Sequence, residues 1–152
     1  GARWIESILY DHDAVRHFYR RPNFRVLIAE AAGFVPMQAK PTNFESFSIV
    51  SSSSNGWGET EFDKEKPDEF EYEAGKDVPG PLQLGFAVRT ADRQSRPVAV
   101  FIGDCDFIAN ELAQSRISNW HFTSDLLDWL LWPEVQRIAS KPYPAGQFKH
   151  LQ

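Results

Sequence analysis

The chain has 152 residues, of which 42% are apolar, 14% aromatic and 24% charged, and its formal net charge is −5. These values are typical of a soluble globular domain, and they exclude disordered, fibrous and nucleic-acid-binding classes, the last of which needs concentrated basic charge. A chain of this length buries roughly 70% of its unfolded surface, which suffices for a core without metals or disulfides. We therefore expect one domain spanning residues 1–152.

Membrane spans and cysteine pairs are not expected. The longest apolar stretches, residues 98–102 and 126–132, are far shorter than the roughly 20 residues that cross a bilayer. The single cysteine, Cys105, excludes an internal disulfide and a cysteine-based zinc site but does not indicate a compartment. Because the chain begins with Gly1 and its one methionine is Met37, we interpret it as an excerpt of a longer protein.

The first elements predicted are a short helix and a strand. Asp11 or Asp13 is suited to cap a helix over residues 14–19, which Pro22 would end because proline lacks an amide proton. Residues 24–29 are predicted as a strand, although the alanines at the end of this run equally suit a helix.

Three further strands are predicted. Residues 44–50 alternate in polarity and predict a strand with Phe47 and Ile49 inward. Residues 82–88 also alternate, which favours a more exposed position. Residues 98–102 are apolar without interruption, as in an inner strand covered on both faces. An inner strand of this kind favours an α/β fold.

The excess negative charge is concentrated in one segment. Residues 59–77 contain nine acidic residues and three lysines, together with Pro67 and Gly75. We interpret this segment as an acidic surface loop. Glu59, Glu61 and Asp63 alternate as calcium ligands do, but no glycine turn lies among them, so a metal site is disfavoured.

The last elements predicted are two helices and an extended tail. Asp106 is suited to start a short helix over residues 107–112. A helix from Phe122 to Trp132 is predicted with one buried face, which Leu127 and Leu131 widen, and we expect Pro133 to limit it. Residues 141–144 are expected to be extended. The buried face is predicted from the helical spacing of Phe122, Leu126, Trp129 and Leu130.

Four sequence islands, in order, resemble a known family. They are IVSSSSNGWGE at residues 49–59, DVPGPL at 77–82, VAVFIGDCDFIAN at 98–110, and residues 119–130. Together, over about residues 47–140, they resemble the auxiliary domain of uncharacterised ABC-type transport systems, the gliding-motility GldG-like family. The chain departs from the family pattern at Cys105, where the family has serine, and in its long acidic segment.

The resemblance implies both a fold and a function. Family members are similar to class I glutamine amidotransferase-like domains, so the implied fold is α/β, a mostly parallel, flavodoxin-like open sheet flanked by helices, with an N-terminal portion missing or replaced. The implied function is that of a non-catalytic, periplasmic or extracytoplasmic domain of a membrane-anchored protein. Its partners would be membrane subunits of an ABC-type transport system, and its membrane attachment would lie outside this sequence. No cofactor is implied.

An enzyme of the cysteine hydrolase or amidotransferase type is the third alternative. Cys105 follows a predicted strand, but residues 103–107 lack the second glycine of a nucleophile elbow. Asp104 and Asp106 flank the thiol, and negative neighbours disfavour the thiolate that a nucleophile requires. His121 and His150 do not lie in a His-x-Glu pair. We therefore expect no catalytic residues.

Four residues are candidates for ligand binding, and each has a structural alternative. Asp104, Asp106 and Asn110 offer oxygen ligands suited to Mg²⁺ at a strand end, but helix capping explains both carboxylates without a metal. Trp57 lies between two glycines, and an exposed indole there would suit a sugar-binding or small-ligand module, the second function considered. The alternative for Trp57 is an apolar plug beneath the acidic segment.

Overall fold

The computed structural model describes residues 4–19, 26–35, 42–61, 71–109 and 118–139. Short strands and short helices lie at the N-terminal end, three longer strands and a short two-stranded pair follow, and a long helix comes last. In chain order the elements are β1 (Trp4–Glu6), β2 (Ile8–Leu9), a 3₁₀ helix (Asp13–Val15), α1 (Arg16–Tyr19), β3 (Leu27–Ala29), β4 (Phe44–Ser51), β5 (Trp57–Gly58), β6 (Val78–Pro79), β7 (Gln83–Thr90), β8 (Pro97–Ile102), a second 3₁₀ helix (Asp106–Ile108) and α2 (Asn119–Ala139).

Every strand pair in the described residues is antiparallel. One sheet has four strands in the order β2-β4-β7-β8, and β1–β3 and β5–β6 form two separate pairs. The prediction of a mostly parallel, amidotransferase-like open sheet flanked by helices is therefore wrong. Only residues 91–96 connect β7 to β8, whereas a parallel crossover needs a dozen residues or more. Within this turn the Asp92 carboxylate accepts hydrogen bonds from the amides of Gln94 and Ser95.

The positions predicted for β7 and β8 are also wrong. In the described part of the chain β8 pairs only with β7, so it lies at the edge of the sheet rather than inside it. Its Val98 and Phe101 side chains are 47% and 53% exposed. The alternating strand β7 is the one with neighbours on both sides, and its Leu84 and Ala87 are fully buried. The uninterrupted apolar run therefore belongs to an edge strand whose side chains are only partly buried.

The strand prediction for residues 44–50 is confirmed by β4. Ile49 is buried and Phe47 half-buried, as expected. The pairing with β7 shifts register after Ser48, so Val50 and Ser51 are buried as well. This irregularity ends the simple alternation of inward and outward side chains.

The final helix carries the predicted buried face but continues beyond the predicted end. Phe122 and Leu126 are buried, and the ring of Phe122 packs edge-to-face against Phe18 and Phe107. Leu127 and Leu131 are about half exposed, so the buried face is narrower than expected. Pro133 does not end the helix, because proline removes a single donor and the residues after it are mostly strong helix formers.

The N-terminal helix is capped by a residue that the sequence did not indicate. His12, not Asp11 or Asp13, occupies the N-cap position of the first 3₁₀ helix. The strand predicted at residues 24–29 is present as β3, while residues 24 and 25 lie outside the described residues. Part of the predicted helix 107–112 is the second 3₁₀ helix, and its remainder, like residues 141–144, also lies outside them.

Candidate functional site

Asp104 holds together the backbone at the end of β8. It is buried, and its carboxylate accepts hydrogen bonds from the amide of Ala29 at 2.8 Å and from that of Asp106 at 2.6 Å. These bonds join the end of β3 to the start of the second 3₁₀ helix. The chain also passes very close at Gly103, where a Cβ atom would lie 1.9 Å from the carbonyl oxygen of Ala32, so only glycine fits.

The predicted Mg²⁺ ligands are only partly brought together. Ligand atoms of Asp104, Cys105 and Asp106 lie within 4.8 Å of one another, and the last two side chains are exposed. Both oxygens of Asp104 already accept backbone amides, which accounts for its burial without an ion. Asn110 lies outside the described residues. The geometry supports the capping interpretation of Asp104.

Cys105 is exposed, and its hydrogen bond goes to a carboxylate. The thiol donates to Oδ1 of Asp106 at 3.7 Å. His121 is exposed on α2, and His150 lies outside the described residues. A cysteine nucleophile needs a base that withdraws its proton, usually an imidazole in hydrogen-bond contact with sulfur. The bond to Asp106 does not provide that arrangement.

Asn119 links three elements, and the sequence analysis gave it no role of its own. Its side chain is fully buried, and its Oδ1 accepts the amide of Leu27 at 3.0 Å. Its Nδ2 donates to the carbonyls of Leu27 at 2.8 Å and of Phe107 at 2.7 Å. The asparagine amide thus pairs with β3 as a neighbouring strand would. The only signal in the sequence is a polar residue at the start of an apolar helix.

Trp57 lies on a small hairpin, and residues 62–70 of the predicted acidic surface loop lie outside the described residues. Trp57 is 39% exposed and Tyr72 is 47% exposed. Their ring centroids lie 6.3 Å apart, and the two ring planes meet at 67°. The strands β5 and β6 pair Trp57 with Pro79. We call the described residues 57–61 and 71–79 the acidic aromatic hairpin. Both rings are partly exposed, so a ligand that approaches the hairpin can contact aromatic surface.

A buried carboxylate holds the base of the acidic aromatic hairpin. Asp77 accepts the amide of Glu73 at 2.7 Å and that of Thr60 at 3.4 Å, which joins the two arms of the hairpin. Gly75 turns the chain with φ at +90°, a conformation that favours glycine. The contacts of Asp77 hold Thr60 and Glu73, which lie on the two arms close in sequence to the aromatic residues.

The charge of the hairpin is strongly negative. Glu61, Glu71 and Glu73 are exposed and Glu59 is half-buried, and one cation, Lys76, lies among these described residues. Lys76 Nζ lies 2.8 Å from Glu73 and 3.8 Å from Glu61. The hydrogen bond to Glu73, and after it the charge of Glu61, raises the pKa of Lys76. Glu71 is exposed and precedes Tyr72 in the chain, and Glu59 accepts the amide of Glu61 at 3.0 Å. The negative charge of the hairpin would attract a cationic ligand.

Comparison with protein-family models, curated proteins and solved structures gives no match. The family resemblance of the four islands therefore stays a prediction, although the fold that it implies is wrong. Among the helices of the described residues, none combines the length and the apolar character that a membrane crossing requires.

Proposed function

We propose that this chain is a non-catalytic interaction domain that binds a basic segment of a partner protein on the acidic aromatic hairpin. The observation that carries the proposal is the exposed pair of Trp57 and Tyr72 rings, 6.3 Å apart, within a segment rich in carboxylates. Exposed large aromatic side chains beside charge of one sign are a frequent feature of binding surfaces.

The chemistry of the hairpin suits a guanidinium or ammonium group. A cation over the face of an indole or phenol ring gains about 0.5–2 kcal/mol, depending on how much water the contact excludes. Carboxylates such as Glu71 add charge-assisted hydrogen bonds, and arginine can bind one in a bidentate manner. Negative charge around the rings also speeds the approach of a basic partner. Rings and carboxylates together therefore favour arginine-containing segments over neutral ones.

The partner proposed is a membrane subunit of an ABC-type transport system, on the periplasmic or extracytoplasmic side of a bacterial membrane. Only the resemblance of the four islands supports this part of the proposal. Two of those islands, residues 49–59 and 77–82, supply the strands β5 and β6 of the acidic aromatic hairpin. Capture of transporter subunits from solubilised membranes by the tagged domain, and loss of that capture in Trp57→Ala, is the expected result.

The experiment that tests the binding site is titration calorimetry with a hexa-arginine peptide. We expect Trp57→Ala to weaken binding about tenfold, which corresponds to about 1.4 kcal/mol, and Glu71→Gln to weaken it several-fold. The matched control is Trp120→Ala, which removes a 61% exposed tryptophan from α2 and should leave affinity unchanged. Affinity should fall as salt is raised. Equal binding by wild type and Trp57→Ala would contradict the site.

A sugar ligand is the second candidate, favoured by the exposure of Trp57. Indole rings stack on the apolar faces of sugars, and carboxylates accept hydrogen bonds from hydroxyl groups. A neutral hexasaccharide that quenches the fluorescence of wild type but not of Trp57→Phe, with affinity independent of salt, would replace the basic partner by a glycan. We expect no such quenching.

A further inference from the structure

His12 links the N-terminal helical segment, residues 12–19, to the sheet and to α2. Its ring centroid lies 5.0 Å from that of Phe47 on β4 and 5.6 Å from that of Trp129 on α2. Its carbonyl accepts the amide of Val15, and its Nδ1 accepts that of Ala14 at 3.0 Å. One side chain therefore both caps the first 3₁₀ helix and packs against the two elements that this helix covers.

The cap requires a neutral imidazole. A ring nitrogen that accepts a hydrogen bond carries no proton, so the single proton of the neutral ring is on Nε2. Protonation of Nδ1 would remove the acceptor of the Ala14 amide, and Ala14 is fully buried. A buried amide without a partner is unfavourable, and the ring in its place would carry a charge among apolar groups.

The charged groups around His12 have opposite effects on its pKa. Asp11 and Asp13 lie on its own segment, where Arg16 pairs with Asp13 at 3.6 Å. On the sheet, Arg89 places its guanidinium 4.3 Å above the ring of Phe47 and pairs with Glu45 at 2.9 Å. Burial, supported by the charge of Arg89, lowers the pKa of His12 more than the two aspartates raise it.

The helix α2 also carries two acidic residues, Asp125 and Asp128. Asp125 accepts the amide of Phe18 at 2.6 Å and so joins α1 to α2, while Asp128 is exposed. Phe18 is buried and packs edge-to-face on Phe122. Release of the segment would therefore uncover apolar surface on both helices.

We propose that protonation of His12 releases residues 12–19 from β4 and α2 in mildly acidic solution. In the released segment the imidazole titrates near its ordinary pKa of about 6.5. Below that pH the released form binds a proton that the closed form does not. Release is therefore increasingly favoured as the pH falls below 6.5, approaching about tenfold for each pH unit, until the closed form also becomes protonated.

The experiment is amide hydrogen exchange by NMR between pH 7.5 and 5.5, expressed as protection factors so that intrinsic exchange rates cancel. Protection of the Ala14 and Val15 amides should fall by up to about fivefold between pH 6.5 and 5.5, while that of Ala87 in the central strand should not change. His12→Asn is the informative variant, because asparagine caps well and does not titrate. It should keep protection at pH 7.5 and lose the pH dependence.

The control is His121→Asn, which removes a histidine from the exposed side of α2 and should leave the wild-type pH dependence in place. Unchanged protection of Ala14 in wild type over this range would overturn the proposal, and so would the same pH dependence in His12→Asn. If His12→Asn does not fold, titration of the wild-type imidazole decides. A pKa of His12 at or above the ordinary value, or a proton on Nδ1 at pH 7.5, would equally overturn it.

Discussion

Replacement of Asn119 by alanine should destabilise the domain more than any other single loss of a polar side chain described above. The change removes all three hydrogen bonds of the side chain, and it leaves the Leu27 amide and the carbonyls of Leu27 and Phe107 without partners. Each buried backbone group left unsatisfied costs about 1–3 kcal/mol. Because Leu27 is only half-buried, we take values near the lower end, which gives about 3–5 kcal/mol in total.

Urea unfolding followed by circular dichroism measures this effect. A domain of this size loses about 1–3 kcal/mol of stability per molar urea, so the midpoint should fall by about 2 M with the slope unchanged. Such a loss is a large fraction of the 5–15 kcal/mol that typically holds a domain folded.

Two further variants separate the hydrogen bonds from the general effect of substitution. Asn119→Asp keeps an acceptor for the Leu27 amide but loses both donors and buries a charge, so it should be at least as destabilising as alanine at pH 7. Asn55→Ala changes an exposed asparagine and should shift stability by no more than about 0.5 kcal/mol. A loss below about 1 kcal/mol in Asn119→Ala would refute the reasoning.

Four other predictions concern residues near the sheet ends. Asp104→Ala should lower stability by about 2–3 kcal/mol and Asp106→Ala by less than about 0.5 kcal/mol, and Mg²⁺ should leave the wild-type melting temperature unchanged. Ser51→Ala should be neutral or stabilising, because the buried Ser51 hydroxyl finds no hydrogen-bond partner within the described residues. Ser52→Ala should lower the free energy of unfolding by about 1–2 kcal/mol in thermal or urea unfolding. The Ser52 hydroxyl donates to the carbonyl of Ser53 and accepts the amide of Leu82. Cys105 should react with iodoacetamide no faster than free cysteine does, and a faster rate would restore the nucleophile hypothesis.

The strands could be predicted from local patterns, and their arrangement could not. Alternation and apolar runs predicted strands at residues 44–50, 82–88 and 98–102, and β4, β7 and β8 lie there. The uninterrupted apolar run in β8 was interpreted as the sign of an inner strand, but such a run does not show how many neighbours a strand has. The short connection of β7 to β8 was the overlooked signal, because it allows only an antiparallel hairpin.

For the site residues too, contacts within a short stretch of chain could be predicted, and contacts between distant segments could not. A capping role for Asp104 could be proposed because one of its partners, Asp106, is two residues away. Asn119 could not be assigned, because Leu27 is 92 residues away in the chain. His12 was missed because histidine is not among the residues that favour the N-cap position. Local chemistry is thus visible in the sequence, whereas contacts between distant segments require the fold.

The most direct test of the central claim is NMR titration of the ¹⁵N-labelled domain with the hexa-arginine peptide. We predict saturable shifts of the Trp57 indole and of the Tyr72 and Glu73 amides, and no shifts at Asp104 or Trp120. In Trp57→Ala the shifts of the Tyr72 and Glu73 amides should reach half saturation only at about tenfold higher peptide concentration. Saturable shifts confined to residues outside the acidic aromatic hairpin, or the absence of saturable shifts anywhere, would contradict the account.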